Sequence, residues 1–296
     1  MTHIFEGIGV AMTTPFSNNQ VDYEAYKNHI EFLIEHNAQS LIINGTTGES
    51  PTLSDDEIKG LLNTAIETVN GRVPVIAGTG TNSTERSMAL SKYAEEAGAD
   101  AVMLITPYYN KSNQRGLVAH FTTIADAINI PIVLYNVPSR TNLSIEPETV
   151  LELSQHRNIV ALKDAVGDLN YTINVLNLVD ENFALYSGND DNFTDFTDLG
   201  GKGLISVVGN VIPKELQDVY ERQTNNDRET ARARFKDLMP VINAVQVDVN
   251  PIPVKALTAE LGFGQYELRL PLLPLDEAVR QTVVDVYQSY KEGVRV

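Results

Sequence analysis

The chain of 296 residues contains no cysteine, which excludes disulfide bonds and thiolate metal sites. Basic residues are also scarce, because 22 Lys and Arg stand against 39 Asp and Glu and give a net charge of −17. This charge disfavours nucleic acid and anionic membranes as partners. No apolar run is long enough to span a bilayer, and the first residues lack the pattern of a secretory signal. We therefore expect a cytoplasmic protein with no membrane or nucleic-acid partner.

Two kinds of ligand-binding motif are also absent from the sequence. It shows no cluster of histidines and carboxylates with metal-ligand spacing and no glycine-rich loop for phosphate. We therefore expect no metal and no cofactor. An open doubly wound sheet would have a glycine-rich turn after its first strand, where this chain has Met12-Thr13-Thr14-Pro15. This difference favours a closed barrel over an open sheet.

The chain does contain a regular alternation of short apolar runs and amphipathic segments. Helix-start signals separate the runs, as in the capping box Ser54-Asp55-Asp56-Glu57. Eight such runs recur at intervals of about 28 residues, which suits a strand–helix unit. They are 7–14, 40–44, 73–79, 101–106, 131–136, 159–164, 184–188 and 203–208. The pattern predicts an α/β fold with a (β/α)8 TIM barrel over residues 1–224, followed by a small C-terminal all-helical domain over residues 225–296.

The sixth run, Ile159-Val160-Ala161-Leu162-Lys163-Asp164-Ala165, places a lysine in an otherwise apolar strand. Burial disfavours the ammonium form, lowers the pKa and makes the amine more nucleophilic near neutral pH. Strand alternation puts Lys163 on the same face as Ala161 and Ala165, while Asp164 faces the other way. Alternatively, the lysine lies at the strand end and extends to water. The residues at the other strand ends help to decide between these interpretations.

In barrels of this kind, active sites form at the C-terminal ends of the strands. After the second run, Thr46 and Thr47 stand between glycines and can offer hydroxyl and backbone donors to a small carboxylate. An equally good interpretation is that these threonines only cap the turn. The fourth run leads to Tyr108 and Tyr109, which as adjacent residues must point in different directions, so that one of them can extend outside its own barrel.

The fifth run contributes a phenol and a guanidinium. Tyr135 ends the strand next to the one that carries Lys163, where a phenol could relay protons to a bound amine adduct. Arg140 follows in the loop and could bind a carboxylate through two hydrogen bonds, or form a surface ion pair in this acidic protein. Together these residues suit Schiff-base chemistry on a small keto acid, in which the amine adds to the ketone and an enamine then attacks an electrophile.

The motifs resemble those of the dihydrodipicolinate synthase (4-hydroxy-tetrahydrodipicolinate synthase) family. The matching motifs of this chain are Gly45-Thr46-Thr47-Gly48-Glu49, Thr106-Pro107-Tyr108-Tyr109-Asn110, Tyr135-Asn136-Val137-Pro138-Ser139-Arg140-Thr141, the Lys163 strand and Asn250-Pro251-Ile252-Pro253-Val254-Lys255. The resemblance covers essentially the whole chain. It implies a lyase of the class I aldolase type that condenses pyruvate with L-aspartate 4-semialdehyde in diaminopimelate and lysine biosynthesis. It also implies a homo-oligomer, at least a dimer.

The resemblance implies a role for each matching residue. Lys163 would form the Schiff base with pyruvate, and Tyr135, Thr47 and Tyr109 would form a proton relay, with Tyr109 acting in the site of the neighbouring subunit. The substrate-binding residues implied are Thr46 and Thr47 for the pyruvate carboxylate, Arg140 for the semialdehyde carboxylate and the Ile205 carbonyl near the lysine.

Two other functions remain possible at the level of sequence. N-acetylneuraminate lyase and keto-deoxy sugar acid aldolases share the lysine, the tyrosine and the threonine loop, but they generally lack the arginine in the fifth loop, so Arg140 favours the synthase. A catalytically silent barrel with a binding or regulatory role would be expected to lose Lys163 or Tyr135, and both are present.

The sequence also departs from the family pattern at several positions. Asp164 follows the lysine where glutamate is usual. Lysine-inhibited members of the family carry histidines and a glutamate in a pocket between subunits, where this chain aligns Asp55, Ile58 and Arg86. These substitutions predict weak or no inhibition by lysine.

Overall fold

The central feature of the protein, in a computed structural model that describes residues 3–293, is a closed barrel of eight parallel strands. Neighbours in the barrel are consecutive in the chain. The strands are β1 (Gly7–Ala11), β2 (Ser40–Ile43), β3 (Val75–Gly78), β4 (Ala101–Ile105), β5 (Ile132–Asn136), β6 (Ile159–Asp164), β7 (Ala184–Ser187) and β8 (Gly203–Ser206). The predicted fold class, a TIM barrel followed by a helical region, is confirmed.

Twelve α-helices are present among the described residues. They are α1 (Tyr23–Glu35), α2 (Asp55–Val69), α3 (Thr84–Ala97), α4 (Gln114–Ala125), α5 (Pro138–Thr141), α6 (Pro147–Ser154), α7 (Leu169–Leu176), α8 (Phe193–Asp198), α9 (Pro213–Thr224), α10 (Arg228–Ala244), α11 (Ile252–Glu260) and α12 (Glu277–Lys291). The predicted capping box is present, because Ser54 Oγ accepts from Glu57 N and the Glu57 carboxylate accepts from Ser54 N. No helix in residues 3–293 is both long and apolar enough to cross a membrane.

The barrel strands are buried along nearly their whole length, as expected for a parallel sheet covered on both faces. The register of β5 on β6 aligns Tyr135 with Lys163. The register of β6 on β7 aligns Lys163 with Tyr186. The strand pairing thus places Tyr135 beside Lys163 at the C-terminal end of the barrel.

A short antiparallel hairpin follows β1 and was not predicted from the sequence. Its strands are Phe16–Ser17 and Gln20–Val21. The two turn residues, Asn18 and Asn19, have φ angles of 51° and 61°. A two-residue turn with positive φ at both positions matches the twist of a hairpin, and asparagine adopts this conformation readily. The Asn-Asn pair is therefore the sequence signal for this hairpin.

Contacts divide the described chain into two compact units. One consists of Pro74–Ile205 with the segment that ends at Glu6, and the other of Gly7–Val73 with the segment that begins at Ser206. In the second unit, α10 packs against α9 and α12, and α11 packs against α12. The predicted division between residues 224 and 225 separates barrel from C-terminal helices and stays a prediction.

Candidate active site

Lys163 lies on β6, and only 5% of its surface is exposed. Its Nζ lies 4.4 Å from the centroid of the Tyr135 ring, and Tyr135 is itself buried. The lysine therefore does not extend to water. This rules out the alternative interpretation of the sequence, in which the lysine at the strand end reaches the solvent. Strand pairing brings the amine against the face of the phenol ring.

Gly188 packs closely against Ala165 and Lys163. A Cβ atom at this position would lie 2.6 Å from Ala165 Cβ and 3.1 Å from Lys163 Cε. Such contacts are too close for any side chain, so only glycine fits here without displacing the lysine or its strand. The sequence analysis identified Ala161 and Ala165 as small neighbours but missed Gly188, which comes from the end of the next strand.

Burial lowers the pKa of Lys163 to about 8. The Asp190 carboxylate opposes this effect, and the Arg140 guanidinium adds to it. A pKa near 8 leaves roughly a tenth of the amine neutral at pH 7, several hundred times the neutral fraction of an exposed lysine. Asp190 is another residue that the sequence analysis did not single out.

Asp164 follows the lysine in sequence but faces away from it. Its carboxylate accepts hydrogen bonds from Thr172 Oγ1 at 2.7 Å and from Val166 N at 3.0 Å. Burial raises the pKa of this carboxyl group. The carboxylate is held towards helix α7 and does not serve as a counter-ion for Lys163.

The loop after β5 is anchored by Asn136. Its Oδ1 accepts from Ile145 N at 3.2 Å, and its Nδ2 donates to Tyr171 Oη at 2.9 Å. Between these anchors the chain forms the short helix α5, which carries Arg140 on an exposed position. The guanidinium is nevertheless close enough to influence the pKa of Lys163.

Tyr109 lies on the surface of its own chain, with 94% of its area exposed. Its φ angle is 70°, a left-handed conformation that is costly for a tyrosine. The next residue anchors the loop, since Asn110 Nδ2 donates to the Asn82 carbonyl at 2.9 Å. Tyr108 is half-buried, so the two adjacent tyrosines differ in exposure.

The threonine loop, Gly45–Glu49, belongs to the second unit. Gly48 N donates to the Gly45 carbonyl, and Thr14 Oγ1 donates to the Gly48 carbonyl at 2.8 Å. Thr47 is buried and only 2% exposed, whereas Thr46 is half-buried. The Thr47 hydroxyl accepts a hydrogen bond from Asn250 Nδ2 at 3.0 Å.

A buried ion pair fixes the end of the threonine loop. Lys255 Nζ donates to Glu49 Oε1 at 2.5 Å, and Arg269 N donates to Glu49 Oε2 at 3.0 Å. The Lys255 ammonium and the Arg269 guanidinium both lie over the ring of Phe16. The sequence analysis missed this cluster, although Lys255 ends one of the motifs on which the family resemblance rests.

The predicted site residues therefore fall into three groups. Lys163 and Tyr135 are in contact, Arg140 influences the amine from the neighbouring loop, and Ile205 is buried in β8 of the same unit. Thr46 and Thr47 lie together in the loop of the second unit, and Tyr109 points outwards. The roles of these residues stay predictions.

A (β/α)8 barrel with a desolvated strand-end lysine beside a phenol is typical of lyases that work through a lysine Schiff base. The chain belongs to the dihydrodipicolinate synthetase family, whose model matches residues 4–289. It is a lyase of the 4-hydroxy-tetrahydrodipicolinate synthase type.

Three solved relatives illustrate this similarity. The dihydrodipicolinate synthase DapA-2 of Bacillus anthracis is 40% identical, with 96% of this chain and 98% of the relative covered and a TM-score of 0.93. The Thermotoga maritima enzyme is 39% identical, with 98% and 99% covered and a TM-score of 0.95. The Cyanidioschyzon merolae enzyme, solved with lysine bound, is 35% identical, with 98% and 99% covered and a TM-score of 0.95.

Replacing Lys163 by methionine should stabilise the protein at neutral pH. The unfolded lysine titrates near its ordinary value of 10.5 and the folded one near 8. Between pH 8 and pH 10.5 the unfolded state binds more protons than the folded state, so the free energy of unfolding rises with pH. Below pH 8 the folded protein bears the full cost of burying the charged amine. The shift corresponds to a cost of about 3 kcal/mol, most of which Lys163→Met should recover at pH 7.

Urea unfolding at fixed protein concentration would measure this gain, which should shrink as the pH rises from 8 towards 10.5. Lys27→Met, which removes an exposed lysine of α1, is the matched control and should leave stability unchanged. Equal stability of wild type and Lys163→Met at pH 7 would contradict the desolvation account.

Proposed function

We propose that this enzyme condenses pyruvate with L-aspartate 4-semialdehyde in the cytoplasm, in the diaminopimelate and lysine pathway. The observation that carries the proposal is the buried Lys163 amine, with its pKa lowered to about 8, against the ring of Tyr135. Membership of the dihydrodipicolinate synthetase family supports it. No metal and no cofactor is required by the chemistry proposed for these residues.

The reaction begins when the neutral amine of Lys163 attacks the ketone carbon of pyruvate. Loss of water gives an iminium ion, which makes the neighbouring methyl group acidic. Removal of a proton from that group gives an enamine, and the enamine carbon forms the new bond to the aldehyde carbon of the second substrate.

Each step needs a proton to be moved at a defined place. Tyr135, Thr47 and Tyr109 of the neighbouring subunit form the relay. Thr46 and Thr47 bind the pyruvate carboxylate through hydroxyl and backbone donors, and the Ile205 carbonyl is assigned a place near the lysine by the family resemblance. Arg140 binds the carboxylate of the semialdehyde, and its exposed position suits contact with a substrate that arrives second.

Pyruvate and borohydride should label Lys163 and no other lysine. Reduction traps the imine, and its rate should rise with pH around a midpoint of about 8, where the amine loses its proton. Peptide mapping by mass spectrometry identifies the modified residue, and Lys163→Arg is the negative control. Labelling at another lysine would overturn the assignment.

An Arg140→Ala variant separates the two substrates in the same assay. Pyruvate trapping should stay close to the wild-type rate, because Arg140 is assigned to the second substrate. Efficiency with the semialdehyde should fall roughly 30–150-fold, as expected when a charge-assisted contact is lost. An equal loss in pyruvate trapping and in efficiency with the semialdehyde would show that Arg140 does not act specifically on the second substrate.

We also propose that Tyr109 acts across a subunit interface, so that the active form is at least a dimer. A phenol that is 94% exposed and held at φ 70° has no packing role within its own chain that would repay its strained backbone. A partner site that uses the phenol accounts for both features.

Mixing inactive Lys163→Ala and Tyr109→Phe subunits should restore activity. In a hybrid dimer one site has both groups, so random mixing should give roughly a quarter of wild-type activity. The matched control mixes Lys163→Ala with Tyr135→Phe, which should not complement because strand register keeps these two residues in the same site. If the first mixture stays inactive after verified subunit exchange, Tyr109 does not act across an interface.

Inhibition by lysine should be weak or absent. Arg86 lies exposed in the first turn of α3, where inhibited relatives have a glutamate, and would oppose an ammonium group. Ile58 is a buried residue of α2 that cannot replace a hydrogen-bonding histidine. These changes should weaken lysine binding at least about a hundredfold. A lysine titration of the initial rate measures this, and half-inhibition at submillimolar lysine would contradict it.

A further inference from the structure

Two buried threonines join the loops that follow β4 and β5. Thr106 comes directly after β4 and is fully buried, and Thr141 is the last residue of α5, with 2% of its area exposed. Thr106 Oγ1 donates a hydrogen bond to Thr141 Oγ1 at 3.0 Å. We propose that this hydrogen bond positions Arg140, the neighbour of Thr141, so that its guanidinium meets the carboxylate of the second substrate. This inference rests on the proposed function, because it requires Arg140 to bind the semialdehyde carboxylate.

The helix that carries Arg140 is too short to hold its own position. It has four residues, Pro138–Thr141, and an isolated helix of this length is not stable in water. Its C-cap residue, Asn142, has a left-handed conformation with a φ angle of 52°, so the chain leaves the helix directly after Thr141. Contacts with neighbouring segments must therefore set where the backbone of Arg140 lies.

The Thr141 hydroxyl makes contacts on both sides of this helix. Its Oγ1 accepts from Leu143 N at 3.3 Å and lies within donating distance of the Leu143 carbonyl at 2.9 Å and the Val137 carbonyl at 3.2 Å. A hydroxyl donates one hydrogen and accepts two, so these partners together with Thr106 use its whole capacity. The bond from Thr106 is the part of this set that comes from outside the loop.

Thr106 is itself fixed to the end of the barrel strands. Its backbone N donates to the Tyr135 carbonyl at 3.1 Å, and this bond continues the pairing of β4 with β5. The Thr106–Thr141 bond therefore relates the Arg140 helix to the strand end that carries Tyr135, beside Lys163. Only a short carbon chain separates the aldehyde of the semialdehyde from its carboxylate. A displaced guanidinium would therefore bind the carboxylate with the aldehyde out of place for the enamine.

The experiment measures kcat and KM for both substrates in Thr106→Val, which removes the donating hydroxyl and keeps the shape of the side chain. Efficiency with the semialdehyde should fall roughly five- to tenfold, mainly through a rise in KM. The KM for pyruvate and the rate of pyruvate trapping should change less than about twofold. A general structural defect would affect both substrates.

Two variants at the other end of the bond provide a loss and a rescue. Thr141→Val should cost at least as much as Thr106→Val, because it also removes the acceptor for Leu143 N. Thr141→Ser keeps the hydroxyl and should stay within about twofold of wild type. Thr106→Val changes the bond from outside the loop, so the test stands even where Thr141→Val does not fold.

An Arg140→Ala background shows whether the bond acts through the guanidinium. In that background Thr106→Val should change the efficiency with the semialdehyde less than about twofold, since the group that it positions is gone. Thr122→Val is the matched control, because it removes a threonine hydroxyl that donates to the Val118 carbonyl within α4. It should leave the kinetics with both substrates unchanged.

Three outcomes would overturn the inference. They are an equal loss with both substrates in Thr106→Val, a loss that persists in the Arg140→Ala background, and a Thr141→Ser enzyme as impaired as Thr141→Val. Wild-type condensation activity tests the proposed function separately. Wild-type enzyme that forms no condensation product overturns that function, whereas active wild-type enzyme with any of the three outcomes overturns only this inference.

Discussion

The structure depends on the removal of one amine from water. Lys163 is placed in a buried strand, and burial is the largest cause of the lowering of its pKa to about 8. Two other features keep the amine in this state. Gly188 lets the end of the next strand pack closely against its Cε atom, and Asp164 directs its carboxylate to Thr172 and Val166 instead of to the lysine. A carboxylate in direct contact with the amine would favour the ammonium form and make it less nucleophilic. The identity of several neighbours thus follows from a single electrostatic requirement.

The second unit holds the threonine loop in place through buried polar contacts. A loop of glycines and threonines has little apolar surface with which to pack. It is fixed instead by Glu49, whose carboxylate joins Lys255 and the backbone of Arg269. Ion pairs of this kind contribute little net stability but have strong geometric preferences. Their value in this loop is the fixed position that they give to Thr47.

The sequence could predict the features that depend on local pattern. Strand and helix periodicity gave the barrel, alternation gave the burial of Lys163, and chain order placed Tyr135 on the adjacent strand. It could not predict contacts between distant segments, because no local pattern encodes them. Asn250 reaches Thr47 across 203 positions and Lys255 reaches Glu49 across 206. Asp190 and Gly188 were missed for a related reason, since their effect on Lys163 arises only when the strands close side by side.

The two buried lysines show why burial alone does not identify a catalytic amine. Burial lowers the pKa of both side chains. For Lys255, the Glu49 carboxylate at 2.5 Å opposes that effect and holds the ammonium as a hydrogen-bond donor. For Lys163, the contacting group is the face of a phenol ring at 4.4 Å, which attracts a cation far more weakly than a carboxylate does. Lys255 therefore serves to hold the threonine loop through its contact with Glu49. Lys163, with its pKa lowered to about 8, can lose its proton more readily, and this suits it to the proposed role of nucleophile.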